Sequence, residues 1–316
     1  MAPMTEVAIL GASGYVGAEL LRLCAGHPQL RPARLFGDSQ AGQSLASVHP
    51  HLALSYPGLT VGRFEPDSLD RCVDALEQAL ARQAGRIAAV VLEPVVQGAA
   101  GMRLYAPAYL RAARELCDRH DLLLVFDEVF SGYGRSGPMW ACAHAGVAPD
   151  LLCTAKGLTA GVLPMGATLT SARVFEGFLG DPQRAFYYGH TFCGNPLGAA
   201  VALEVLRVFE DERVLERAKP KAERIALAFE AMASLPGVAS VRSLGMIGAL
   251  ELAGDAGYLA RAGWRVYAEA RSRGCYLRPL GNVVYVTPSL NIPDPDLDEL
   301  LAALRESVEA ACRGAS

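Results

Sequence analysis

The chain has 316 residues, 52% of them hydrophobic, with 29 basic residues against 33 acidic ones and a formal charge of −4. That length and apolar content support a large core in two or three lobes, a size typical of enzymes. The charge balance excludes a general basic surface for nucleic acid, and the apolar runs are too short to span a bilayer.

Residues 5–10 read as a strand, Gly11-Ala12-Ser13-Gly14 as a turn, 15–26 as an amphipathic helix and 33–36 as a second strand. No basic region precedes the first strand, so no signal peptide is expected. From 37 to 66 the composition turns rich in Gly, Ser, Pro and His with little periodicity, long for a loop inside a compact domain. It is read as a seam.

After the seam, strand and helix alternate: helix 67–83, strand 87–92, helix 107–119, strand 122–126, strands 151–154 and 166–170, then helices 196–210 and 211–234. That alternation predicts an α/β fold built on an open, mostly parallel sheet. The remainder carries shorter strands at 238–243, 247–252, 275–278 and 283–286, with helices at 258–273 and 296–313, a smaller α+β lobe. Three domains are expected: 1–65, 66–205 and 206–316.

Lys156 is one of only three lysines; the other two, Lys219 and Lys221, sit together in a polar stretch. It follows the apolar run Leu151-Leu152-Cys153-Thr154-Ala155, which places an amine at the end of a buried strand. A lysine in a partly desolvated site has a lowered pKa and can add to an aldehyde as the free amine. Pyridoxal phosphate is the aldehyde that fits best, and it also needs a carboxylate at its pyridine nitrogen. Asp127 ends the apolar run Leu122-Leu123-Leu124-Val125-Phe126, and ligands of parallel sheets gather at the carboxyl ends of strands. Taken as a pair, Asp127 and Lys156 read equally as a strand-end aspartate and an unrelated lysine. His120 and His144 have no identifiable partner and default to structural or solvated histidines. Eight cysteines lie scattered, with no Cys-x-x-Cys pair and no His cluster at zinc spacing, so reduced thiols, a cytoplasmic location and no metal are expected.

Further motifs occur in order: Leu92-Glu93-Pro94-Val95-Val96-Gln97-Gly98, Phe126-Asp127-Glu128-Val129, and Gly132-Tyr133-Gly134-Arg135-Ser136-Gly137. They continue through Ala148-Pro149-Asp150, Ala155-Lys156-Gly157-Leu158 and Gly189-His190-Thr191-Phe192-Cys193-Gly194-Asn195-Pro196. In these motifs the chain, over about 85–316, resembles the class III pyridoxal-phosphate-dependent aminotransferases. Ala167-Thr168-Leu169-Thr170 and Arg278-Pro279-Leu280-Gly281-Asn282-Val283-Val284-Tyr285 bring it nearest the branch that serves biotin biosynthesis.

The resemblance implies a fold type I large domain, Lys156 as the Schiff-base lysine and Asp127 as the partner of the ring nitrogen. It implies that Thr191 donates to the cofactor phosphate across a homodimer interface, with Gly189 and His190 shaping the same loop. Arg278 would hold a substrate carboxylate, which suits a planar guanidinium; Tyr285 would line the substrate, and Arg135 would lie near it. Glu93 and Gln97 would line the cofactor side of the sheet in a supporting role. The implied reaction moves an amino group from S-adenosylmethionine to 8-amino-7-oxononanoate.

Residues 4–65 are similar instead to the amino terminus of the N-acetyl-gamma-glutamyl-phosphate reductases, an NADP-linked family. The similarity rests on Gly11-Ala12-Ser13-Gly14-Tyr15-Val16-Gly17 after a strand, Glu19-Leu20-Leu21-Arg22-Leu23, His27-Pro28, and Ser39-Gln40-Ala41-Gly42-Gln43 through Val48-His49-Pro50-His51-Leu52. It makes Gly11, Gly14 and Gly17 a candidate nucleotide loop. The nucleophilic cysteine motif of that family is absent, so neither reductase activity nor NADP binding is expected. Three elements of an aminotransferase are not found before Glu93: a substrate-lining amino terminus, a phosphate-holding Gly-Ser turn and a ring-stacking aromatic. A gene fusion accounts for the two resemblances, and a catalytically dead, dimer-forming module is the second reading.

Overall fold

In the computed structural model of the chain, the structure describes residues 5–10, 18, 21–22, 24–25, 30–36, 42–62, 69–187, 189–254 and 260–313. The apolar runs that read as strands form a four-stranded sheet at the centre: β4 (Ala89–Leu92), β7 (Leu123–Asp127), β8 (Leu151–Thr154) and β9 (Ala167–Thr170), in that spatial order. The first three run parallel, and β9 returns antiparallel against β8. Parallel strands need a crossover between them. Here α3 (Pro107–Arg119) supplies the one from β4 to β7, starting on Pro107 at its first turn, where a missing N–H does no harm. Together with α2 (Leu69–Arg82), α3 closes one core in which Leu110, Leu124 and Phe126 are fully buried.

A hairpin that the sequence pattern did not reveal, β5 (Val96–Gln97) with β6 (Arg103–Leu104), projects just beyond β4. The small lobe is an antiparallel sheet of β10 (Val238–Leu244), β11 (Ile247–Leu252) and β12 (Val283–Val286). It is covered by α6 (Val214–Met232), α7 (Ala262–Ser272) and α8 (Asp294–Arg313), whose apolar faces bury Ile225, Phe229, Leu297 and Leu304. The strand expected at 275–278 is not formed; Leu280 and Val283 make only an isolated bridge. Pro279 explains this, since it lacks the N–H that a ladder requires. Arg213, with φ of +51°, ends the run of α5 (Pro196–Asp211) and starts α6, which separates the two helices as expected.

At the amino terminus, β1 (Thr5–Leu10), β2 (Leu30–Phe36) and β3 (Val61–Gly62) form a second parallel sheet in the order β1-β2-β3. Ala18, Leu21, Arg22, Cys24 and Ala25 of the expected helix are helical; the rest of it lies outside the described residues. The expected seam is a correction. Its described part holds α1 (Leu45–Val48), a 3-10 turn at Pro50–Leu52 and β3, packed as a local core of Leu21, Leu35, Leu45, Leu52, Tyr56 and Val61. The Tyr56 hydroxyl ties this segment to the helix by donating to the Leu21 carbonyl at 2.8 Å. Periodicity misses it because its apolar residues serve turns rather than one face of a long element. This unit lies against the main sheet through β1 and β4. No described helix is long and apolar enough to cross a membrane.

The two lobes are clasped at Arg135. Its Nη1 donates to the carbonyls of Pro288 at 2.6 Å and Met246 at 3.4 Å, and its own carbonyl accepts from the Met246 N–H at 3.0 Å. Gly245 permits this approach, because with φ of +55° a Cβ there would fall 2.4 Å from the Ser136 carbonyl carbon. A second arginine, Arg242, donates through Nε to the carbonyls of Gly101 and Met102.

Candidate active site

Glu93, Asp127 and Lys156 follow or end three neighbouring strands. Leu92 pairs with Phe126 and Asp127 pairs with Cys153, so the register brings Glu93 beside Asp127 and places Lys156 three residues past Asp127's partner. All three side chains sit at the carboxyl edge of the sheet, where parallel-sheet sites form. The two residues singled out by the sequence are therefore brought together, and Glu93 joins them.

Asp127 is 9% exposed and accepts the Val129 N–H on Oδ1 at 3.0 Å. Burial raises its pKa, while that hydrogen bond and the nearby Lys156 charge pull the other way. Glu128, next in sequence, is fully buried and structural: it accepts from Ser131 Oγ and from the N–H groups of Ala141 and Cys142, pinning the loop after β7. The Lys156 side chain is exposed, so the desolvation expected for it is not found. Its Nζ lies 5.4 Å from the centre of the Phe130 ring, a cation–π distance. Phe130 in turn rests on Gly98, where an added Cβ would come within 3.1 Å of the ring.

The backbone at this edge is strained. Val95, Tyr133 and Lys156 have φ of +56°, +55° and +40°, a region costing side-chain-bearing residues roughly 1–2 kcal/mol each and found preferentially at functional sites. Gly157 follows Lys156 because a Cβ there would fall 2.6 Å from the Tyr133 ring. Tyr133 itself is buried against Trp140 and Phe209, so it cannot retreat.

Glu93 is held by its main chain and its side chain. The Tyr105 hydroxyl donates to its carbonyl at 2.5 Å, and the Gly98 N–H donates to its Oε1 at 3.4 Å. Burial pushes its carboxyl up to about 7, the Asp127 charge adds to that, and the Gly98 N–H and Lys156 oppose it. The sequence signal for Glu93 was its place before Pro94 at a strand end; its pairing with Asp127 needed the register.

The remaining predicted residues lie elsewhere. Arg135 is half-buried, its guanidinium is spent on the lobe-joining carbonyls above, and desolvation lowers its pKa to about 10. Gly189, His190 and Thr191 lie on an exposed turn closed by the Cys193 N–H to the His190 carbonyl at 2.9 Å, with the Phe192 N–H donating to His190 Nδ1. Tyr285, on β12 opposite Ala249, packs half-buried against the large core. Arg278 is exposed between buried Leu277 and Pro279. His144 has a structural partner after all, with Nε2 3.0 Å from the Ser136 carbonyl oxygen. Gly11, Gly14 and Gly17 lie outside the described residues. No group of three or more metal-ligating side chains occurs among the described residues.

An amine and a carboxylate on adjacent strand ends of an open α/β sheet suit pyridoxal phosphate: Asp127 keeps one oxygen clear of its Val129 bond, and the Lys156 amine is reachable. The fold and this edge define a fold type I pyridoxal-phosphate-dependent transferase. The chain belongs to the class-III aminotransferase family, whose profile matches residues 7–308. That match begins inside β1 and is wider than the stretch over which the motifs carry the resemblance.

An adenosylmethionine-8-amino-7-oxononanoate aminotransferase of Geobacter sulfurreducens is 42% identical over 251 residues, covering 77% of this chain and 55% of that protein. One of Nitratidesulfovibrio vulgaris is 42% identical over 247 residues, covering 76% of this chain and 46% of its own length. The chain thus spans about half the length of the curated relatives it matches. The crystal structure of the Methanocaldococcus jannaschii enzyme of that name superposes with a TM-score of 0.77 at 29% identity, over 95% of this chain and 74% of that one.

Proposed function

We propose that the chain performs pyridoxal-phosphate-dependent amino transfer from S-adenosylmethionine to 8-amino-7-oxononanoate, giving 7,8-diaminononanoate for biotin synthesis. The observation that carries this reading is the register placing Asp127 and Lys156 at neighbouring strand ends. When bound, the cofactor supplies an aldehyde for the amine and an electron-withdrawing ring for the substrate's α-carbon.

Lys156 would hold the cofactor through its amine and would serve as the base and acid that takes and returns the proton at the substrate's α-carbon. Its exposure gives it reach, and the Phe130 face beside it steadies the ammonium. Asp127 would hold the ring nitrogen, its negative charge kept in a buried position where water competes least. Thr191, His190 and Gly189 serve a site in a second copy of the chain, because their turn is exposed and lies within a surface rich in uncovered apolar side chains. Arg278 offers its exposed head to a carboxylate, Tyr285 lines the same side, and Arg135 sets the lobe spacing that brings both toward the sheet edge. The division 1–65, 66–205 and 206–316 is retained as three structural units, and the protein works in the cytoplasm as a homodimer.

Adding pyridoxal phosphate to the folded protein gives a visible absorbance band of bound cofactor, and Lys156→Ala abolishes it. A folded wild-type sample without the band sinks the reading. The second reading, a dimer-forming module without turnover, draws on the half-length match to the relatives. A cofactor-free chain that sediments as a dimer and never develops the band would favour it.

A further inference from the structure

Two carboxyls at neighbouring strand ends face one amine, which leaves the edge one negative charge in excess if all three ionise. In-register neighbours on adjacent strands point their side chains to the same face with backbones roughly 5 Å apart. Glu93 and Asp127 stand in that relation, one residue past the Leu92–Phe126 pair. Like charges that close in a partly buried setting do not both ionise readily.

The surroundings decide which carboxyl keeps a proton. Asp127 has a 3.0 Å hydrogen bond from Val129, whereas the bond from Gly98 to Glu93 is longer, at 3.4 Å. The half-buried Glu93 side chain accepts from the Gly98 N–H, and Tyr105, whose hydroxyl donates to the Glu93 main-chain carbonyl, supplies no positive charge. The ionisable groups facing Glu93 are Asp127 from β7, Lys156 from the segment after β8, and Tyr105 from beyond β6. Only Lys156 among these is cationic, and its exposed amine is the group the cofactor takes.

We propose that Glu93 is a positioning residue that carries the proton shared by this carboxyl pair, so that Asp127 alone stays anionic toward the cofactor ring. Resting on the cofactor reading above, the assignment gives Glu93 a task beyond lining the sheet. When Lys156 loses its charge to the cofactor, the field at Glu93 becomes more negative and its proton is held more firmly. Glu93 thereby prevents a second buried negative charge from competing with Asp127 for the ring nitrogen's proton. The upward displacement of its carboxyl to about 7, caused first by burial and then by Asp127, agrees with this geometry.

The test reads the Glu93 carboxyl directly in cofactor-free, full-length protein labelled with carbon-13 at glutamate side-chain carboxyls. The resonance that disappears in Glu93→Gln should titrate near 7; Asp127→Asn should lower its midpoint and Lys156→Ala raise it, each by about one pH unit. In the holoprotein, the visible band of bound cofactor should change at a pH above the cofactor-free midpoint in wild type and lose that inflection in Glu93→Gln. A Glu93 resonance titrating in the ordinary glutamate range, or one unmoved by Asp127→Asn, overturns the proposal. Should Glu93→Gln not fold, Glu93→Asp identifies the resonance by removing it. A chain that never develops the visible band overturns the cofactor reading instead, and the carboxyl titration still decides the role of Glu93.

Discussion

The sheet region from β4 to Lys156 and the segment from Val162 to Leu206 adjoin in sequence and treat their apolar residues in opposite ways. In the first, Val96, Leu110, Leu124 and Phe126 are essentially inaccessible, and the charged groups Glu93, Asp127 and Lys156 are gathered at one edge. In the second, Val162, Phe175, Phe178, Phe186, Tyr187 and Phe192 are all exposed. The first region is closed by its own helices, so its polar edge can be held with precision. The second joins the sheet through β9 and rests the start of α5 on the turn after Lys156, and it leaves these large apolar side chains uncovered. The polar groups thus gather where the chain buries its own apolar residues, and the open side leaves its aromatic residues at the surface.

The largest expected effect lies in the closed region. Phe126 is fully buried one residue before Asp127, and Phe126→Ala should cost about 3–5 kcal/mol through lost burial and an unfilled cavity. The urea midpoint of unfolding measures this. A loss below about 1 kcal/mol would mean that the edge is not braced by that core.

A pH effect of similar origin follows from Glu93. Its folded-state carboxyl is raised from an ordinary 4.5 to about 7, so the folded protein holds its proton more tightly than the unfolded chain. Stability is then highest below the unfolded value and is lost as pH rises toward 7, by no more than about 3 kcal/mol. Unfolding of cofactor-free protein at pH 4.5 and pH 8 should show this slope in wild type and a flatter one in Glu93→Gln.

The contrast extends to the lobe junction, where Arg135→Ala removes the donor from the Pro288 and Met246 carbonyls. A buried acceptor left without a partner costs about 1–3 kcal/mol, and the loss should appear in thermal unfolding. Retained stability would mean that the carbonyls find water and that the lobes are joined chiefly by Arg242.

How far the sequence disclosed these regions follows from the range of the interactions involved. The strands ending in Leu92 and Asp127 and the strand before Lys156 were legible because short apolar runs bounded by polar residues need only local information. The Arg135 clasp joins positions 111 and 153 residues apart, and no local pattern encodes its acceptors. The Phe130 ring beside Lys156 likewise depends on how the loop after β7 folds back over Gly98. The core under Tyr56 was read as a seam because Leu45, Leu52 and Val61 come from three short elements, none long enough to show a period.

The smallest effect on stability should come from the open segment, and there it tests the comparison most directly. Phe178 and Phe186 pack against each other with ring centres 5.5 Å apart, yet they remain 43% and 68% exposed. Replacing both with serine removes little buried surface, so each change should alter monomer stability by no more than about 0.5 kcal/mol. If a second copy covers them, the same substitutions remove aromatic anchors from an interface, where such residues dominate binding. Sedimentation should then show the wild-type dimer shifting toward monomer while the unfolding midpoint stays nearly fixed. A large fall in that midpoint with no change in association would place these rings in the monomer's own fold and remove the distinction between the two regions.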